Sequence, residues 1–435
     1  MKKLGFILII LTLTIIFSAC PPLLEDYEGG ASGDVISFEK PFDLDVYKWF
    51  EILDSIAKEG KFVTLDLSNA TVKEDNTGGG LVRLKDDDPF NPFSSYPFPD
   101  PLPPGYPIIP LPAVAFDPFP ASSSGKDYIV SIILPDSAQI IKGAKLDEKI
   151  KGIGNNKEDI EDAKKYSAFR SFSNLRSVKA NNVTYIGNFA FADCKALTEV
   201  NFPRVSKTEF YADIDRFAFL GCAGLKEIKF NTAAVIGECA FKGCTSLLKI
   251  DFPEVITIEN NAFEECASLV NVFFEKTTKI YNETFKGCTS LKKAEFNAAP
   301  PSGSDPSAHF ADPAFDYSTD IDPCVIFYPS AFNGCKALEV LNIRNAWNVY
   351  FAKDVLANTG SVIEIYLFDE LTTATPQTSY GHPQNAKLLG DGATVTLKEI
   401  KIRAPVNKGR ISDNLEKNLD DIYSNITLDV HVDKR

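Results

Sequence analysis

Six cysteines, Cys194, Cys222, Cys244, Cys266, Cys288 and Cys335, each stand three residues after a phenylalanine and three before a leucine. Thiols in a repeated column admit three chemistries. Oxidised in pairs they would staple neighbouring repeats, a use that belongs outside the cytosol. Deprotonated they would hold a metal. Protonated and buried they behave as small hydrophobes that suit a crowded turn. Stacking would hold their Cβ atoms about 4.8 Å apart, beyond the ~3.5–4.5 Å of a disulfide. A metal set would call for Cys-x-x-Cys pairs or a nearby histidine, and the column has neither. Buried free thiols are therefore the leading reading, with stacked disulfides and metal as alternatives. Cys239 falls in a variable column shared with Phe189, Phe217 and Asn261, so it carries no repeated role, and Cys324 has no obvious partner.

Other catalytic chemistry has little to build on. His309, His382 and His431 are isolated, and no nucleophile elbow, phosphate loop or His-Glu-x-x-His helix occurs. No catalytic group, cofactor or metal is expected, and the chain does not read as an enzyme. A formal charge of -14 with no long basic run argues against nucleic acid and against a polybasic route to a membrane.

The cysteines sit inside a repeat that must position them. Phe219-Leu-Gly-Cys222-Ala-Gly-Leu225-Lys-Glu-Ile228-Lys-Phe230 recurs from Phe241, Phe263 and Phe285, each 22 residues after the last. A fixed period of this size marks a solenoid, in which no unit buries its apolar face without neighbours. Ile228 and Phe230, two residues apart, face one side of a strand, and Glu227 and Lys229 face the other. The Phe-x-x-Cys-x-x-Leu half, spaced by threes, suits a tight turn or a short helical segment on the opposite side. An Ile-Gly frame precedes it at Ile186-Gly187 and Ile236-Gly237. Further units follow at Phe169, Phe191, Phe332 and, more loosely, at Leu356 to Leu367 and at Thr394 to Ile402. The expected architecture is an α+β repeat solenoid with a parallel sheet of short strands on one face. Candidate ligand positions are the outward ones: Lys229, Lys249, Asp251, Phe273, Lys293, Glu295 and Tyr366. A charge ladder between rungs accounts for most of them, and Phe273 and Tyr366 are the exceptions.

Around this block the chain divides in order. Lys2 and Lys3 precede an apolar run from Leu4 to Phe17 and then Ser18-Ala19-Cys20, the layout of an export leader over 1–20. Residues 21–40 read as a tether. Residues 41–85 read as a helical N-terminal cap, with Trp49, Leu53 and Ile56 on one face, followed by a first strand at Phe62 to Leu67. Residues 86–124 are a proline-dense insertion that cannot be a ladder strand. The solenoid occupies 125–402 with an inserted loop at 297–324, and 403–435 would close its C-terminal end.

Two resemblances sharpen this. Phe-Ser-Ala-Cys20 resembles the lipobox of bacterial lipoproteins, which implies lipidation of Cys20 and a membrane anchor. Residues 125 to about 402 resemble the bacterial surface leucine-rich-repeat family called BspA-like, whose unit reads much like Ile-Gly-x-x-Ala-Phe-x-x-Cys-x-x-Leu-x-x-Ile-x-Phe-Pro. Phe202-Pro203 and Phe252-Pro253 keep the final pair; Phe230-Asn231 and Phe296-Asn297 depart from it. That family implies an exported leucine-rich-repeat protein of the cell envelope, with its anchor placing it at the outer surface. Its expected role is binding or adhesion toward a protein or glycan ligand. The alternative is a structural envelope protein with no foreign ligand.

Overall fold

The structure, a computed structural model, describes residues 34–44, 46–72, 115–116, 124–141, 168–169, 172–205, 213–297, 324–344, 348–351, 354–360, 362–368, 373–374, 399–404 and 427–432. The leader with Cys20, nearly all of the proline-dense segment and most of the expected C-terminal closure at 403–435 lie outside these residues.

Alternating side chains give strands, and the strands stack in parallel. One ladder runs through Asp34–Ile36, Val63–Asp66, Ile129–Ile133, Ser177–Lys179 and Glu199–Asn201. It resumes with Glu227–Lys229 beside Lys249–Asp251, and again from Asn271–Phe274 through Lys293–Asn297, Val340–Arg344, Val362–Phe368 and Glu399–Ala404 to Thr427–Val432. Burial alternates as the repeat requires: Ile228 is enclosed while Glu227 and Lys229 are exposed. The two interruptions follow Phe202-Pro203 and Phe252-Pro253. Proline removes a ladder donor, yet Leu134-Pro135 is passed without a break, since Leu134 N–H still reaches Lys179 O at 2.8 Å. Proline alone is therefore not sufficient to part the strands.

A second parallel ladder runs down another side through two-residue strands such as Tyr185–Ile186, Val235–Ile236, Thr257–Ile258 and Lys279–Ile280. Where the chain inserts extra residues before Asp213, this ladder survives only as single bridges from Ile186 to Ile214 and from Ile214 to Ile236. The buried Asp213 carboxylate repairs the gap, accepting from Ala234 N–H at 2.6 Å and Val235 N–H at 3.0 Å.

Between the ladders lies a stack of rings. Phe169, Phe191, Phe219, Phe241, Phe263, Phe285 and Phe332 follow one another at centroid separations of 4.5, 5.0, 5.2, 5.3, 5.5 and 5.4 Å, stacked with nearly parallel planes at every step. The Phe-x-x-Cys-x-x-Leu half forms successive tight turns rather than a helix. Cys222 N–H bonds to Phe219 O and Leu225 N–H to Cys222 O, each at 3.1 Å.

Three expectations change. Ala115–Phe116, inside the segment 86–124 read as unable to supply a ladder strand, pairs in parallel with Ile140–Ile141 in the second ladder, where the sequence from Ala113 to Asp117 is free of proline. The one α-helix among the described residues, α1 at Val46–Glu59, does bury Trp49, Leu53 and Ile56 in the common core. It does not precede the first rung, because Asp34–Ile36, inside the segment read as a tether, already pairs with the strand after the helix. Periodicity within 41–85 was blind to a three-residue strand upstream. The last rungs also pair two residues away from the expected alignment: Ile400 lies beside Ile363 and Ile402 beside Ile365. A shift of two keeps every residue on its face, so side-chain alternation alone cannot detect it.

Two backbone columns take left-handed φ. One is Phe189, Phe217, Cys239, Asn261, Glu283, Ser330 and Asp354; the other, just before the cysteine column, is Asp193, Gly221, Gly243, Glu265, Gly287, Gly334 and Asn358. A methyl at Gly243 would meet only ordinary contacts at 3.7 Å, but at φ +74° it would cost about 1–2 kcal/mol. At Gly237 it would press on Ile214 O at 2.8 Å and Arg216 N at 2.9 Å, both backbone. Gly237→Ala should therefore destabilise more than Gly243→Ala in urea unfolding; equal losses would contradict the close approach of these two coils.

Candidate functional site

The cysteine column is now explained. Cys194, Cys222, Cys244, Cys266, Cys288 and Cys335 are all buried and all free. Each thiol points at the carbonyl of the core phenylalanine one rung earlier. Cys222 Sγ donates to Phe191 O at 3.1 Å, Cys244 to Phe219 O at 3.3 Å, Cys266 to Phe241 O at 3.2 Å, Cys288 to Phe263 O at 3.1 Å and Cys335 to Phe285 O at 3.1 Å. Cys194 reaches Phe169 O at 3.7 Å. The column thus carries a weak donor between rungs. Burial pushes every one of these thiols up, Cys194 to about 12, with Asp193 adding to the effect. Among the described residues no group of three or more His, Cys, Asp or Glu side chains is placed to hold a metal ion.

Cys239 does have a repeated role, in its backbone rather than its side chain. It shares left-handed φ with the rest of its column and packs with Phe189, Ala192 and Phe217 in a small cluster apart from the main core. Further along the same column the side chains turn polar. Asn261 Nδ2 donates to Glu264 at 2.6 Å and to Glu283 at 3.0 Å, and Lys242 reaches Glu264 at 2.6 Å. Beside it, the Tyr185 hydroxyl donates to Asp215. Burial pushes Asp215 up to about 6, against the Tyr185 and Arg216 N–H hydrogen bonds and the Arg216 charge, with Glu259 adding to the rise.

The strand face holds the expected ligand positions, and most are spoken for. Lys229 pairs with Asp251 of the next rung at 2.7 Å, and Lys249 reaches back to Glu227 at 3.0 Å. Lys293 pairs with Glu295 at 3.1 Å, and Arg344 reaches the same carboxylate at 3.4 Å. Exposed pairs of this kind add little stability, but they neutralise the face. Register sets Glu295 directly beside Phe273. Asn342 follows beside Glu295, and Tyr366 beside Asn342. The Tyr366 side chain lies outside the described residues. Phe273 is 46% exposed, whereas the preceding Val272 and following Phe274 are core.

Asn342 was not among the singled-out positions. It is 5% exposed although it lies on the outward row. Its Nδ2 donates to Glu295 at 2.8 Å, and its Oδ1 has no partner among the described residues. Nothing in its alternation distinguishes it from Asn201 or Asn271, so only packing could reveal it. Burial acts to raise the pKa of Glu295. The hydrogen bonds from Asn342 and Lys293, with the charges of Lys293 and Arg344, outweigh that and hold it below the ordinary carboxylate value.

Residues 124–213 and 212–302 match the BspA type leucine rich repeat region, in six copies. Across those residues the chain is built of repeats of that type. A leucine-rich repeat protein from Bacteroides ovatus ATCC 8483 is similar at 17% identity over 74% of this chain and 88% of its own, with a TM-score of 0.34. The T. pallidum leucine-rich repeat protein is similar at 18% identity over 48% of this chain and 76% of its own, with a TM-score of 0.24. The repeat assignment rests on the family match and the strand register, not on these superpositions. No curated protein matches the chain.

Two measurements follow from the buried groups. The six column thiols should resist alkylation at pH 8 in the folded protein and react fully in denaturant; fast labelling of the native column would contradict their burial. Asp215, raised above its ordinary 3.8, contributes stability below about pH 4 and loses it as pH rises through about 6. Asp215→Asn should therefore look relatively better at pH 8 than at pH 4, by about 2 kcal/mol in unfolding free energy. A difference of the opposite sign would refute the shift.

Proposed function

We propose that this chain is an exported, lipid-anchored binding scaffold of the bacterial cell surface, with the outward strand face as its ligand surface. The observation that carries this reading is the strand face itself. A buried scaffold of repeated Phe, Cys, Leu and Ile holds the outward side chains in parallel rows about 4.8 Å apart, and one of those rows spends an aromatic ring, Phe273, on solvent. Leucine-rich repeat proteins are generally non-enzymatic binding scaffolds, and those of the BspA type are typically bacterial surface proteins. The leader-like Lys2 to Ala19 and Cys20 supply export and the anchor, so membrane contact comes through lipid rather than a span. A protein or a glycan is the ligand class, and adhesion is the biological use.

A second reading has its own support. Lys229–Asp251 and Lys249–Glu227 satisfy one another across rungs, as a face stabilised for itself would, and that suits a structural envelope protein. One experiment separates the two. Live cells are treated with a non-penetrating protease, and the wild-type chain is compared with Cys20→Ser. Surface display predicts loss of the full-length wild-type protein from cells and release of the Cys20→Ser protein into the medium. Complete protection of the wild-type protein on intact cells would rule out adhesion.

A further inference from the structure

The row that runs through Phe273, Glu295 and Asn342 has features the fold does not require. Phe273 stands beside Glu295, and Glu295 beside Asn342, in strict parallel register. Phe273 is 46% exposed, and a ring turned outward contributes nothing to a core already filled by Val272 and Phe274. Asn342, nearly enclosed, commits its Nδ2 to Glu295 and leaves Oδ1 without a partner among the described residues. Buried acceptors are rarely left so. Glu295 is held from three directions, by Asn342 at 2.8 Å, Lys293 at 3.1 Å and Arg344 at 3.4 Å.

We infer that this row is a carbohydrate subsite, which takes a neutral oligosaccharide lying across the rungs. The inference deepens the reading of the strand face as a ligand surface and rests on it. An apolar ring face of a sugar covers Phe273, where aromatic burial provides affinity without charge. One hydroxyl donates to the remaining lone pairs of Glu295, a fixed acceptor. Asn342 Oδ1 is itself enclosed, so Asn342 acts through its Nδ2, which holds Glu295 in place. One strand step separates Phe273 from Glu295, about 5 Å, which a single ring and its hydroxyl span.

Charge compensation selects neutrality. Lys293 and Arg344 already engage Glu295, and Lys229 already engages Asp251. An anionic or cationic ligand would have to displace one of these partners, whereas hydroxyl groups can add to them. A protein partner steered by charge would bind with strong salt dependence; a neutral sugar would not.

The test uses the full-length chain in detergent and, as probes, neutral gluco-, manno- and galacto-oligosaccharides of four or more units. Binding is measured by calorimetry and saturation-transfer NMR in low and high salt. At least one series should bind, with an affinity nearly unchanged by salt. Phe273→Ala should weaken it at least tenfold without altering the melting temperature, since the ring packs outside the core. Phe273→Trp should retain binding and report it through a shift in its emission. Asn342→Ala should weaken it as well; should that variant unfold, the two Phe273 variants still decide. Binding by none of the three series, or binding indifferent to Phe273→Ala, overturns the subsite. Cells that still capture a protein partner while all three sugars fail would sink the carbohydrate assignment alone. A chain hidden from external protease would sink the surface reading beneath it.

Discussion

The ring stack from Phe169 to Phe332 is the constraint on which everything else depends. Its steps stay between 4.5 and 5.5 Å, close to the spacing that parallel strands demand. A rung that lengthened between its phenylalanine and its strand would break either the stack or the ladder. Extra chain must therefore leave at the turns, and it does so before Asp213 and between Asn297 and Cys324. Phe191 still stacks on Phe219 at 5.0 Å and Phe285 on Phe332 at 5.4 Å across those insertions.

Keeping the stack in register imposes local strain elsewhere. Each coil must reverse within a few residues between ring and cysteine, and it does so through a left-handed residue just before the thiol. Glycine occupies that place at Gly221, Gly243, Gly287 and Gly334, where it has no side chain to object. Asp193 and Glu265 occupy it with the same φ and bear the cost. The thiol that follows returns part of this by donating to the carbonyl one rung back. A column that looks like redox chemistry is thus part of the packing.

Much of the solenoid was legible beforehand because its period is invariant. Phe219, Cys222, Leu225, Ile228 and Phe230 all proved to be core, and the outward set between them proved to be outward. What escaped notice did so for identifiable reasons. The strand Asp34–Ile36 is too short to show alternation. The register of Ile400 and Ile402 differs from expectation by two, which periodicity of two cannot register. The left-handed column of Phe189, Cys239 and Asn261 has no common side chain, because its constancy lies in φ. The candidate site was legible only in outline. Phe273 stood out as an aromatic in a polar column, whereas Asn342 looked like any outward amide until packing enclosed it.

Residue type and spacing alone determined which side chains enter the core and which rows face outward, since burial at a fixed period needs only periodicity. They also determined the chemistry available at the column, six thiols with no metal-ligand spacing. The tertiary structure decided what those groups do. It aimed each thiol at a neighbouring carbonyl, matched Lys229, Lys249 and Lys293 to carboxylates, and left Asn342 Oδ1 unanswered beside Glu295 and Phe273. Apart from Lys293 and Glu295, neighbours on one strand, such outcomes depend on distances between residues 22 to 50 positions apart in sequence. Only the stacking of rungs brings them within reach.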